Sequence, residues 1–138
     1  MAVGTISITS RELVNIGKTE RNLIEKVIVD WVASSTDASV PVLSIDLRGY
    51  LIKVITNPGS TAPTGSYAIA LQDPEDSALD AAATLLNGRS ATATEQVYPV
   101  VSGKITPILL VGSYGLAVTS NSVNSATGRI ILHLAEEF

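Results

Sequence analysis

Gly115 to Leu134, reading GLAVTSNSVNSATGRIILHL, sets two apolar, partly alternating runs on either side of a polar patch of Asn, Ser, Thr and Gly whose only hydrophobic anchor is Val123. A period of two puts every second side chain on one face of an extended strand, and a Gly- and Asn-containing interruption is turn chemistry. The pattern predicts a β-hairpin that ends a β-rich domain. In its second run Ile130, Leu132 and Leu134 share one face, and Arg129, Ile131 and His133 the other. Hydrophobic residues make up 46% of the 138 positions but aromatics only 4%, so the core must rest on Val, Ile, Leu and Ala. Stiff β-branched side chains of this kind favour strands, where the pleated face accommodates them.

The same grammar recurs upstream. In NLIEKVIVDWVAS, Val27, Val29 and Trp31 fall on one face and Lys26 and Asp30 on the other. Leu23, Val27 and Trp31 also fit helical spacing, but the β-branched enrichment favours a strand. Ser34–Ser39 reads as a turn, and Val40–Leu47 alternates weakly up to Gly49. GYLIKVITNPGS is the clearest strand, with Tyr50, Ile52 and Val54 on one face and Leu51 and Ile55 on the other. Asn57-Pro58-Gly59 stops it, since Pro gives no ladder donor and Gly supplies positive φ. Tyr67, Ile69 and Leu71 then share a face, and this run is expected to pair with the preceding strand across the proline-bearing loop. Ser90–Val101 is extended, and Ile105–Val111 and Ser113–Thr119 are strands around Gly112.

Arg11–Lys18 reads two ways, as part of an arm or first strand, or as a short helical turn that Ser10 caps, with Leu13 and Ile16 on one side, and that Gly17 ends,. A short helix is predicted near residues 77–86, where Asp73 suits the cap, Pro74 the first helical position and Gly88 the C′ position,. The sum is an all-β antiparallel fold, a two-sheet sandwich or jelly-roll-like barrel of about eight strands. Residues 1–20 form an N-terminal arm or first strand, and residues 21–138 a single β-sandwich domain.

Composition excludes several function classes. The net charge is −4 and the nine Lys and Arg are scattered from Arg11 to Arg129, which is no footprint for nucleic acid,. Cys is absent, so disulfides and thiolate metal sites are excluded,. No apolar run reaches the roughly 18 residues of a transmembrane helix. Met1–Ser10 lacks the charged and apolar regions of a secretory signal, so synthesis in a cytoplasm is the expectation,. Mean hydropathy is +0.34 and the charged share only 16%, which points to apolar surface that meets another protein.

Catalytic machinery is hard to assemble from these residues. His133 is the sole histidine, with Glu136 and Glu137 its only sequence-local acids, and reads as a strand residue at a surface or subunit contact,. Asp73, Glu75, Asp76 and Asp80 cluster, but without the ligand order or central Gly of a calcium loop; they suit a helix N-terminus,. Gly112-Ser113-Tyr114-Gly115 is no phosphate cradle,. No catalytic residue, cofactor or metal is expected.

Three longer tracts carry a resemblance: GYLIKVITNPGSTAPTGSYAIALQD, NGRSATATEQVYP and VTSNSVNSATGRIILHL. From Gly49 to Leu134 the chain resembles a group of small tailed-bacteriophage structural proteins, although Ala68 stands where members often carry Asp and the region before Trp31 matches less well. The resemblance implies a virion protein, either a capsid decoration (cement) module binding the major capsid protein or a neck, tail or baseplate component. Closed symmetry is the norm for such modules and the chain is apolar for its charge, so a homo-oligomer, dimer or trimer, is expected; the charge pattern and the short apolar runs argue against nucleic acid and membrane as partners,. Candidate contact positions are Asn57, Pro58, Thr61, Pro63, Asn121, Val123 and Asn124, with the arm Ala2–Lys18, because loops and termini are where partners are met,. The rival class is a carbohydrate-binding β-sandwich, with Trp31 or Tyr114 as sugar platform, or a glycan hydrolase using Asp30, Asp46 and Glu95,.

Overall fold

Turn residues divide the extended runs into β1 (Thr5–Asn15), β2 (Leu23–Val32), β3 (Leu43–Pro58), β4 (Ala68–Gln72), β5 (Glu95–Val97), β6 (Val100–Val101), β7 (Lys104–Ile105), β8 (Ile108–Thr119) and β9 (Thr127–Ala135). The structure, a computed structural model, describes residues 4–15, 23–72, 89–101 and 103–135, and contains no helix among them. The chain is all-β. Its seven-stranded antiparallel sheet runs β1-β2-β9-β3-β8-β4, with β5 beside β3, and β6 and β7 form a separate ribbon. The helix predicted near residues 77–86 lies outside the described residues. Of the two readings of the segment after Ser10 the strand is the one that forms: Ser10 to Asn15 continue β1, which pairs with β2 and carries a bulge between Ile8 and Ser10. A cap residue is a weak preference, and a ladder with a neighbouring strand overrides it.

Two pairing expectations are corrected. The terminal runs do not form a hairpin, because β3 lies between β8 and β9. β4 pairs with β8, setting Ile69 opposite Val118 and Leu71 opposite Leu116, and not with β3. In both cases the facing was right and the partner wrong. Period-two alternation says which side of a strand is buried, but both edges of a strand offer the same donors and acceptors.

β3 joins the two parts of the sheet. Its segment Leu43–Leu51 pairs with β8, and Tyr50–Pro58 pairs with β9. A straight strand of its 16 residues would be about 50 Å long, whereas the chain from Thr119 to Thr127 reaches roughly 28 Å at most. That loop therefore connects β8 to β9 only if β3 bends. The bend has its residues: Gly49 (φ +128°) and Gly112 (φ +115°) lie nearly level on the paired strands, Gly49 opposite Leu110 and Leu47 opposite Gly112. A Cβ at Gly49 would stand 2.7 Å from the Ala135 carbonyl oxygen. Tyr114 braces the second bend, its hydroxyl accepting from Val111 N at 2.8 Å and donating to Val111 O at 3.2 Å.

A bulge between Leu51 and Lys53 resets the alternation. Leu51 and Val54 are consequently both buried, where uninterrupted alternation would have put them on opposite faces,. The bent sheet covers one core, in which Val27, Val29 and Trp31 of β2 and Ile130, Leu132 and Leu134 of β9 join Ile45, Leu47, Leu110 and Leu116. Trp31 meets Tyr67, which leads into β4, with ring centroids 5.8 Å apart and planes at 51°. β2 and β4 are distant in strand order, so this contact is made across the fold. The indole also lies on Gly128, where a Cβ would come within 2.6 Å of its ring carbons.

Gly49→Ala combines a backbone clash with a disfavoured φ, and is expected to destabilise by about 2–4 kcal/mol. Gly65→Ala meets nothing within 4 Å and should change stability by less than about 0.5 kcal/mol. Urea unfolding of the two variants checks the contrast.

Candidate functional site

The bend brings three loops together at one end of the sheet: residues 33–42, 59–67 and 120–126. Their backbones interlock. Ala33 N donates to Ala126 O at 2.7 Å, Gly59 N to Thr127 O at 2.8 Å and Thr127 N to Thr61 O at 2.9 Å. The Asn121 side chain ties all three. Its Oδ1 accepts from Thr64 N at 3.1 Å and Val123 N at 3.2 Å, while Nδ2 donates to Ala38 O and Val123 O, both at 3.2 Å. Ser122 N adds a 2.8 Å bond to Thr64 Oγ1. Ala38, Ser66, Ser120 and Ser125 all hold positive φ near 60°, a left-handed conformation that costs an L-residue about 1–2 kcal/mol.

The seven nominated contact positions thus divide. Asn57, Thr61 and Asn124 are exposed, Pro58, Asn121 and Val123 half-buried, and Pro63 buried. Asn57 Oδ1 accepts from Thr94 Oγ1 at 3.1 Å, and Val123 packs against the core. The structure gathers the loops that sequence reasoning singled out, but turns much of their polar chemistry onto one another. The organising role of Asn121 has no sequence signal beyond its loop setting, since its partners Ala38 and Thr64 lie far away along the chain.

The rival candidates are dispersed. Asp30 stands on the outer side of β2, Asp46 lies opposite Ser113, and Glu95 lies opposite buried Thr56; none is paired with another. Glu95 accepts from Ser90 N at 2.6 Å and approaches Arg89 at 3.6 Å. Trp31 and Tyr114 are buried, so neither offers a ring face to a sugar. Asp73, Glu75, Asp76 and Asp80 lie outside the described residues, and among those described no group of three or more His, Asp or Glu is placed to hold a metal.

Sequence reasoning also passed over a polar group in the core: Trp31 Nε1, Thr56 Oγ1 and Tyr67 Oη are buried without a hydrogen-bond partner. Thr56 is a neighbour of the Tyr67 hydroxyl and favours its ionised form. Burial above all, and then the charge of Glu95, pushes the Tyr67 hydroxyl above its ordinary range.

The outer side of β1-β2-β9-β3 is ordered in rows. Ser7, Asp30, Arg129 and Asn57 form one, in which Arg129 Nε and Nη2 donate to the two Asp30 carboxylate oxygens at 2.7 and 3.1 Å. That bidentate hydrogen bond, helped by the Thr9 hydroxyl, holds the Asp30 carboxyl below its ordinary range against the opposing effect of burial. Ile28, Ile131 and Ile55 form the next row, and Glu12, Lys26, His133 and Lys53 the one after. The half-buried His133 is held below its ordinary 6.5, first by burial, then by the charges of Lys53 and Lys26. No protein-family model, curated protein or solved structure matches this chain.

Asn121→Ala removes bonds to all three loops and is expected to cost about 2 kcal/mol or more, read as a fall in the urea midpoint. His133 binds its proton more weakly folded than unfolded. Its contribution to stability is therefore complete above the unfolded value near 6.5 and is lost as pH falls through the lower folded value,. His133→Gln should flatten the slope of stability against pH in that window, measured by denaturation between pH 5 and 7.

Proposed function

We propose that this chain is a non-enzymatic structural protein of a tailed-bacteriophage virion, and that it is a capsid decoration protein binding and stabilising the major capsid lattice. The observation that carries the reading is aliphatic surface on a braced β module. Leu109 and Val111, alternate residues on the outer side of β8, are 57% and 67% exposed, and Ile105 in the preceding ribbon is 68% exposed. Side chains of this kind gain by leaving water against another protein, at roughly 25 cal/mol per Å² buried. The tracts around TNPG, RSAT and NSVNSATG support the same reading by their resemblance to phage structural proteins.

In this reading the bent sheet serves as a two-layered sandwich or jelly-roll-like module, and the interlocked loops keep one end rigid. The chain assembles as a dimer or trimer before or on binding the shell. It acts by covering joints between capsid subunits, with no substrate turned over. The buried Trp31 and Tyr114, and the separation of Asp30, Asp46 and Glu95, weigh against the carbohydrate reading.

Cryo-microscopy of particles made by the genome that carries this chain tests the proposal. The expected result is density for the module at a fixed ratio to the major capsid protein, with Leu109 and Val111 in the contact. Density confined to the neck, tail or baseplate would overturn the decoration role, and absence from purified particles would overturn the virion reading.

A further inference from the structure

We propose that the Lys26–His133–Lys53 row is a docking surface for carboxylate groups of an acidic partner protein, laid across β2, β9 and β3. The inference goes beyond the decoration reading and does not depend on it. Its basis is a cross-strand placement. His133 on β9 is opposite Lys26 on β2 and Lys53 on β3, and adjacent strands are about 4.8 Å apart. Protonation of His133 sets its charge directly opposite a lysine on either side, and like charges so opposed destabilise a sheet. Two rows away the same strands solve the problem in the ordinary way, matching Asp30 with Arg129.

Among the described residues no ion pair closes on the lysines of this row. Arg11, Arg89 and Arg129 are each in an ion pair, with Glu25, Glu95 and Asp30. Among the described residues Lys26 and Lys53 are in none. Glu12, which stands opposite Lys26 on β1, forms no ion pair with it. His133 Nδ1 is buried without a partner. The groups facing His133 from its neighbouring strands are thus Lys26 and Lys53, with Glu12 beyond Lys26, and no described acid is opposite it.

Charge selects an anion, and one further feature selects a polypeptide. Beside the row run Ile28, Ile131 and Ile55, all half-buried. An acidic segment can set its carboxylates on the lysines and its aliphatic groups on the isoleucines, whereas a phosphate backbone has nothing to place on them. A carboxylate bound between the lysines also removes the repulsion that His133 meets on protonation, so binding and His133 protonation favour each other.

The sole histidine is an unambiguous reporter. In low-salt buffer at pH 6, an acetylated hexaglutamate peptide should shift the His133 imidazole resonances saturably and raise the pH of their titration midpoint. The K26Q/K53Q double variant should bind about tenfold or more weakly, with its amide spectrum otherwise retained, while Lys104→Gln should bind like the parent. No His133 response at millimolar peptide, or undiminished binding by the double variant, overturns the proposal. Equal binding of a single-stranded oligothymidylate of the same charge overturns the assignment to a polypeptide.

Discussion

The bend in β3 at Gly49 is the constraint on which the rest of the fold depends. β3 pairs with β8 before it and with β9 after it. One strand thereby belongs to both parts of the sheet and leaves no break in the ladder. A residue with a Cβ would meet the Ala135 carbonyl there, and positive φ is a conformation that only glycine adopts without strain. Gly112 bends the paired strand at almost the same level, and the Tyr114 hydroxyl holds that bend by both the N–H and the carbonyl of Val111. The bulge after Leu51 then restores the burial phase, so that aliphatic residues on either side of the bend face one core.

The loop end follows from the same bend. Once the ends of β3 approach, residues 33–42, 59–67 and 120–126 must share one small volume, and their backbone groups need partners in it. Asn121 meets that need because one amide offers both acceptor and donors. The polar residues of these loops are therefore largely structural, and the more open chemistry lies on the sheet: aliphatic side chains on β8 and the rows across β2, β9 and β3.

Strand facing was legible in the sequence. Val27, Val29 and Trp31 are buried as their alternation requires, as are Tyr67 just before β4, Ile69 and Leu71 in it, and Ile130, Leu132 and Leu134 in β9. Burial of alternate residues is a local property of a pleated strand, so a window of eight residues carries it. The phase error at Leu51 and Val54 arose because a bulge inserts one residue with no compositional mark. The cross-strand rows were likewise hidden. Lys26, Lys53 and His133 are unremarkable one at a time, and become a basic row only when the register places them side by side.

By itself, then, the sequence determined an all-β chain with an aliphatic core and the buried faces of β2, β4 and β9, because side-chain chemistry and period-two geometry act over neighbouring residues. Tertiary structure alone decided which edges pair, where β3 bends, that the terminal runs are separated instead of forming a hairpin, and which charges stand together. Those outcomes rest on contacts between residues far apart in the chain. Strand edges carry the same backbone donors and acceptors whatever their side chains, so only closure of the whole core selects among them.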